Sequence, residues 1–270
     1  DAWSNASKYL TQNDFEILRQ SFFEILREIN PAFELEPTRR HMASIYGKVR
    51  EYSSWIREGI TQSLILVSIF GNQLRFNLPI SGALWVDGII AELFSDENPL
   101  LWKSIESKFP LLAEASPVAF LNAIEKSLSI EKSPVVSLFE EEPGFMWSHS
   151  YHTGLLWALE NLAWLPEYFS RASLLLARLS AIDPGGSLAN RPINSLTEIF
   201  KPWHYQTNAT FEERIEVLKL ISEKEPSVAW TLLVHMLPES HGVGHYTHKM
   251  RWRMFEQSFE KTYTYKEIWE

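Results

Sequence analysis

The chain has 270 residues, 45% hydrophobic and 22% charged, with a formal net charge of −9 and no cysteine. That length allows a large core, burying roughly three quarters of the unfolded surface. The missing cysteines exclude a disulfide framework and a thiolate metal site. The acidic balance argues against a nucleic-acid-binding face, which needs clustered Lys and Arg. Lys249, Arg251 and Arg253 are a local basic group and read as a solvated turn. No uncharged apolar run reaches the roughly 18 residues of a membrane span. The best candidate, Ile60 to Phe70, is too short. With no signal peptide either, a cytoplasmic protein is expected. The chain begins with Asp rather than Met, so a segment of a longer polypeptide is expected.

Taken in order, Thr11 is a good helix cap, with Asp14 three residues on. Phe15, Leu18, Phe22, Ile25, Leu26 and Ile29 then share one face, up to Asn30-Pro31. Pro37 predicts a short helix over 38–47. Ser53 or Ser54 caps a longer one to Phe70, apolar nearly all round after Gln62 and therefore central. Ser81 precedes a helix over 82–94 whose Gly82 and Gly88 allow close helix approach at a propensity cost of about 1 kcal/mol each. Asn98-Pro99 opens a helix to Lys108, and Ser116-Pro117 opens one to Leu128. Ser133-Pro134 repeats that device before a single turn. Glu140-Glu141-Glu142-Pro143-Gly144 is a charged, breaking loop and the best internal boundary, dividing the chain into halves 1–140 and 145–270.

The stretch from Ser148 to Thr207 organises the second half. Tyr151, Leu155, Ala158, Leu159 and Leu162 follow helical spacing, as do Phe169, Ala172, Leu176 and Leu179. Only Trp164 and Leu165 separate the two runs, which predicts an antiparallel helical hairpin. Asp183-Pro184-Gly185-Gly186 stops the second helix. A short helix over 194–200 follows. Thr210 and Glu213 form a capping box for 211–223, and Pro226 opens a helix closed by Pro238. The tail from Met250 reads as helical at first.

About a dozen helices with no period-2 strand make the protein all-α. Helix pairs every 35–45 residues or so suit irregular HEAT- or armadillo-like repeats, an α-solenoid; a compact irregular helical bundle is the alternative.

Motifs that carry chemistry are scarce. There is no GxxxxGK[ST], GxGxxG or GxSxG, so no cofactor is expected. His241, His245 and His248 have the most metal-like spacing, and three imidazoles would leave a zinc position open, although a Gly-rich loop organises ligands poorly. His149, His152 and Glu160 read as structural. In the irregular segment, Asp183, Glu198, Arg191 and His204 read first as polar pins of a loop. Arg191, Trp203 and His204 are also candidates for a partner interface.

The segment LLWALENLAWLPEYFSRASLLLARLSAIDPGG, continuing SLANRPINSLTEIFKPWHYQTNATFEERIEVLKLI, resembles a helical region of large bacterial multidomain proteins of the STAND-type NTPase-like, predicted defence class. That resemblance implies a sensor or scaffold role, with any NTPase elsewhere in the parent protein. The expectation is therefore a non-catalytic helical region that contacts proteins or other domains of its own chain, with neither nucleic acid nor membrane as partner. The alternative is a metal-binding enzyme domain built on the late histidines.

Overall fold

The computed structural model describes residues 5, 7–71, 78–144, 148–204, 206–237 and 243–253. Among the described residues, twelve α-helices and four 3-10 turns account for the regular structure, and extended pairing is limited to one antiparallel bridge, Glu142 with His149. The protein is all-helical, as its periodicity predicts. It divides into two compact units, residues 1–154 and 155–270.

In the first unit α1 runs Gln12–Leu26, α2 Ser54–Phe70, α3 Gly82–Leu93, α4 Pro99–Ile105, α5 Phe109–Ala115, α6 Pro117–Ser127 and α7, a single turn, Pro134–Ser137. Several starts are fixed locally. The Thr11 N–H donates to the Asp14 carboxylate at 2.7 Å, and the hydroxyls of Ser53, Ser81, Ser116 and Ser133 accept N–H groups of their first turns. Each such bond satisfies a donor that the helix leaves unpaired. The helix α2 is central, packing against α1, α3 and α5 with Leu64, Ile65 and Val67 fully buried.

Gly71 and Gly82 let the end of α2 meet the start of α3. A Cβ on either would lie 2.3 Å from the Val67 carbonyl oxygen. Gly88 has open space where its side chain would be, so the close-approach expectation holds at Gly82 and fails at Gly88. Below α2 the aromatics form a buried edge-to-face cluster: Phe94 lies 4.8 Å from Trp102 and 5.6 Å from both Phe109 and Phe120, centroid to centroid. Such geometry adds about 0.5–1.5 kcal/mol per pair beyond area burial.

Three expectations need correction. The helix expected over 38–47 is a 3-10 turn, Pro37–Met42, followed by turns to Gly47 at φ 67°. None of its residues is buried, so no packed face holds an α-helix there. The helix expected to reach Lys108 stops at Ile105. A 3-10 turn, Glu106–Lys108, leads into α5, whose start carries Pro110 in its first turn. Met250–Arg253 is not helical, and residues 254–270 lie outside the described residues.

The units part at Gly154/Leu155, later than the acidic loop at 140–144. That loop is tied back into the first unit. Glu142 and His149 exchange backbone hydrogen bonds at 2.8 and 2.9 Å, and the Tyr151 N–H reaches the Leu138 carbonyl at 2.9 Å.

In the second unit α8 runs Thr153–Ala163, α9 Pro166–Ile182, α10 Pro192–Phe200, α11 Phe211–Lys224 and α12 Pro226–His235. Tyr151 lies ahead of α8 rather than on it. The Trp164–Leu165 corner is as short as expected, and Pro166 is the first residue of α9. Beyond α9, Gly185 and Gly186 take positive φ, 73° and 149°. Helix α9 packs against α10, α11 and α12.

Candidate functional site

Three places carry chemistry or exposed apolar surface. The first is a cleft of about 340 Å³ in the first unit. Its walls come from the 3-10 turns Pro31–Glu34 and Pro37–Met42 and from the bridge around Glu142 and His149. Arg40 is its centre. The guanidinium sits 5.0 Å over the Phe33 ring, and Nε donates to the Leu35 carbonyl at 3.2 Å. Nη1 pairs with the Glu142 carboxylate and lies 3.3 Å from the Tyr151 hydroxyl. The other Glu142 oxygen accepts from Lys103 Nζ at 3.2 Å. The Lys103 side chain is 7% exposed and also meets the exposed Glu140 at 3.1 Å.

Burial pushes the Tyr151 hydroxyl up from its ordinary pKa, with Glu142 reinforcing the shift. The His149 ring meets Tyr151 edge-on at 4.6 Å. Much of His149 is accessible to solvent, yet the protein around its ring still lowers its pKa by desolvation, Arg40 adding to the effect and Glu142 opposing it. His149 is therefore a neutral donor and acceptor near pH 7. None of these groups was singled out in the sequence as a set, because Arg40 and Tyr151 are 111 residues apart.

The second place gathers the residues that the sequence did single out. Segment 243–250 has no regular structure and is tied to α8 and α10 largely through its backbone. Glu198 Oε2 accepts the His245 N–H at 2.8 Å, Gln206 Oε1 the Thr247 N–H at 2.9 Å, and Glu160 Oε2 the His248 N–H at 2.9 Å. Lys201 Nζ binds both Glu198, at 2.5 Å, and the Val243 carbonyl, at 2.9 Å. Glu160 is buried. Its other oxygen accepts from the Ser195 hydroxyl at 2.6 Å, and burial raises its pKa while these bonds oppose the rise. The His248 ring stacks on Trp157 at 4.1 Å, and desolvation lowers its pKa.

His241 lies outside the described residues, and among the described residues no three His, Asp or Glu side chains converge as metal ligands. Among the described residues, the His245 side chain takes no part in fastening this segment, and the His248 side chain does so by stacking on Trp157, not as a ligand. His204 rests against Gly244, where a Cβ would come within 2.6 Å of the imidazole, and meets the Tyr246 ring at 5.0 Å. Trp203 is half-buried. Arg191 is 8% exposed and engaged by Asp183. It offers little surface to a partner and acts as a pin. His152 is fully buried, its Nδ1 2.7 Å from the Ser150 hydroxyl and its ring stacked on Phe139 at 4.7 Å.

No protein-family model, no curated protein and no solved structure matches this chain. The reading of function therefore rests on the geometry itself.

The third place is the outer face of α12. Val228, Ala229 and Leu232 turn inward, while Trp230, Leu233 and Val234 share the exposed face, and Leu237, just beyond the helix end, is exposed as well. Trp230 is 71% exposed and Leu237 62%. A helix apolar on both faces departs from the one-sided pattern of a surface helix. No described helix is long and apolar enough to cross a membrane.

Proposed function

We propose that this chain is a protein-interaction module: a non-catalytic helical scaffold or sensor region that binds another protein or another part of its own polypeptide. The supporting observation is the exposed face of α12, where Trp230, Leu233 and Val234 lie together, with exposed Leu237 just past the helix end. Contiguous exposed apolar surface marks interaction sites, and Trp is the commonest kind of anchor. The likeness of segment 155–221 to helical regions of STAND-type NTPase-like bacterial proteins fits the same reading, in a cytoplasmic setting.

Hydroxyl-radical footprinting tests it. Trp55, 81% exposed in the first unit, serves as the internal reference. In cells expressing the natural gene, oxidation of Trp230 relative to Trp55 falls several-fold below its value in the purified chain. Equal ratios in both settings would mean that nothing covers α12, and the reading fails.

A further inference from the structure

The cleft around Arg40 goes beyond this reading, because its walls present hydrogen-bonding groups that the protein itself leaves unused. Arg40 spends Nε and Nη1 on Leu35, Glu142 and Tyr151. Its Nη2 has no partner among the described residues. The Asn30 side-chain Oδ1 accepts the Ala32 N–H at 3.1 Å, and its Nδ2 makes no hydrogen bond among the described residues. The His149 ring makes an aromatic contact to Tyr151 and no hydrogen bond among the described residues. All three residues line one cleft. A guanidinium N–H₂, an amide N–H₂ and a neutral imidazole suit a ligand whose oxygens accept.

Charge narrows the class. Arg40 and Lys103 are two largely buried cations, with side chains 19% and 7% exposed. Glu142, at 20%, is the one comparably buried anion that faces them, since Glu140 is 66% exposed and well solvated. Among the described residues, one positive charge is left without a buried counter-charge. A monoanion supplies it, whereas a dianion would sit against Glu142. The Phe33 ring beneath Arg40 helps hold the guanidinium in place, and Nη2 is a charged N–H donor for one carboxylate oxygen. A volume of about 340 Å³ lies at the small end of ligand-pocket sizes.

We propose that this cleft binds a small monocarboxylate, with Arg40 Nη2 as its charged anchor and His149 and Asn30 as polar contacts. Such a site would make the first unit a receptor for a small metabolite, independent of whether α12 docks a protein.

Isothermal titration of the whole chain with acetate, pyruvate and benzoate, beside acetamide, benzamide and inorganic phosphate, is the test. At least one carboxylate binds, its matched amide binds at least about tenfold more weakly, and phosphate does not compete near pH 8. Arg40→Gln abolishes binding. Because that change also strips Glu142 of a partner, His149→Ala provides the control: it weakens carboxylate binding several-fold and leaves the melting temperature unchanged. The proposal is overturned if no carboxylate binds, if amide and carboxylate bind alike, if phosphate displaces the carboxylate, or if His149→Ala binds as the parent does.

Discussion

Arg191 and Asp183 meet through two parallel contacts, Nε to Oδ2 at 3.0 Å and Nη2 to Oδ1 at 2.7 Å, with both side chains about 10% exposed. The pair closes the loop between α9 and α10, and the same carboxylate accepts the Gly185 N–H at 3.1 Å. Removing one partner of a largely buried pair leaves an uncompensated charge, which costs about 3–5 kcal/mol. Arg191→Ala should therefore lower stability by several kcal/mol in denaturant titration. Arg191→Lys recovers only part of it, because an ammonium cannot make both contacts. A neutral effect of Arg191→Ala would remove its role as a pin.

Glu106 makes the fold sensitive to pH. Burial pushes its pKa up to about 7, against opposing help from the Gly154 N–H and Lys108. A carboxyl with a raised folded pKa binds its proton more tightly when folded. Its contribution is thus most favourable below the ordinary carboxyl range and is lost as pH climbs through about 7. At about 1.4 kcal/mol per unit the loss is at most ~3 kcal/mol. Thermal unfolding of the parent and of Glu106→Gln at pH 5 and pH 8 checks this. The parent loses stability between the two and the variant loses less.

Two glycines on the same helix, α3, give opposite outcomes. Gly82→Ala forces a Cβ to within 2.3 Å of the Val67 oxygen and should destabilise by about 1–3 kcal/mol or more. Gly88→Ala meets nothing within 4 Å and should stabilise α3 by up to about 1 kcal/mol. Chemical denaturation of both variants decides it. Equal signs would contradict the packing at the α2–α3 contact.

Glu160→Ala removes the acceptor of both the Ser195 hydroxyl and the His248 N–H. Leaving those donors unmet costs about 1–3 kcal/mol. Hydrogen exchange at the His248 amide accelerates strongly, while amides deep in α9 change little. Uniform acceleration would mean that Glu160 serves the whole unit instead.

What could be read from the residues alone divides along physical lines. Helix starts were legible because capping is a local act: Ser116 and Ser133 bond N–H groups three residues on. The Thr210–Glu213 box closes as expected, with Thr210 N–H to Glu213 at 2.7 Å. The 3-10 turn at 37–42 was misread because proline and polar residues satisfy either geometry, and only the missing buried face separates them. The Arg40 cleft left no trace in any window of sequence. Its members come from three regions, and the Glu142–His149 bridge that joins two of them has no strand around it. The late histidines stand out by spacing, but the fold uses their backbone N–H groups and the stacking of the His248 ring, neither of which spacing reveals.

That last arrangement has an evolutionary corollary. Glu198, Gln206 and Glu160 grip main-chain N–H groups that every residue except proline possesses. Selection therefore bears on the three gripping side chains and spares position 245, while position 248 is held to a ring that can stack on Trp157. Orthologues should keep the three and let position 245 drift to almost any residue but proline.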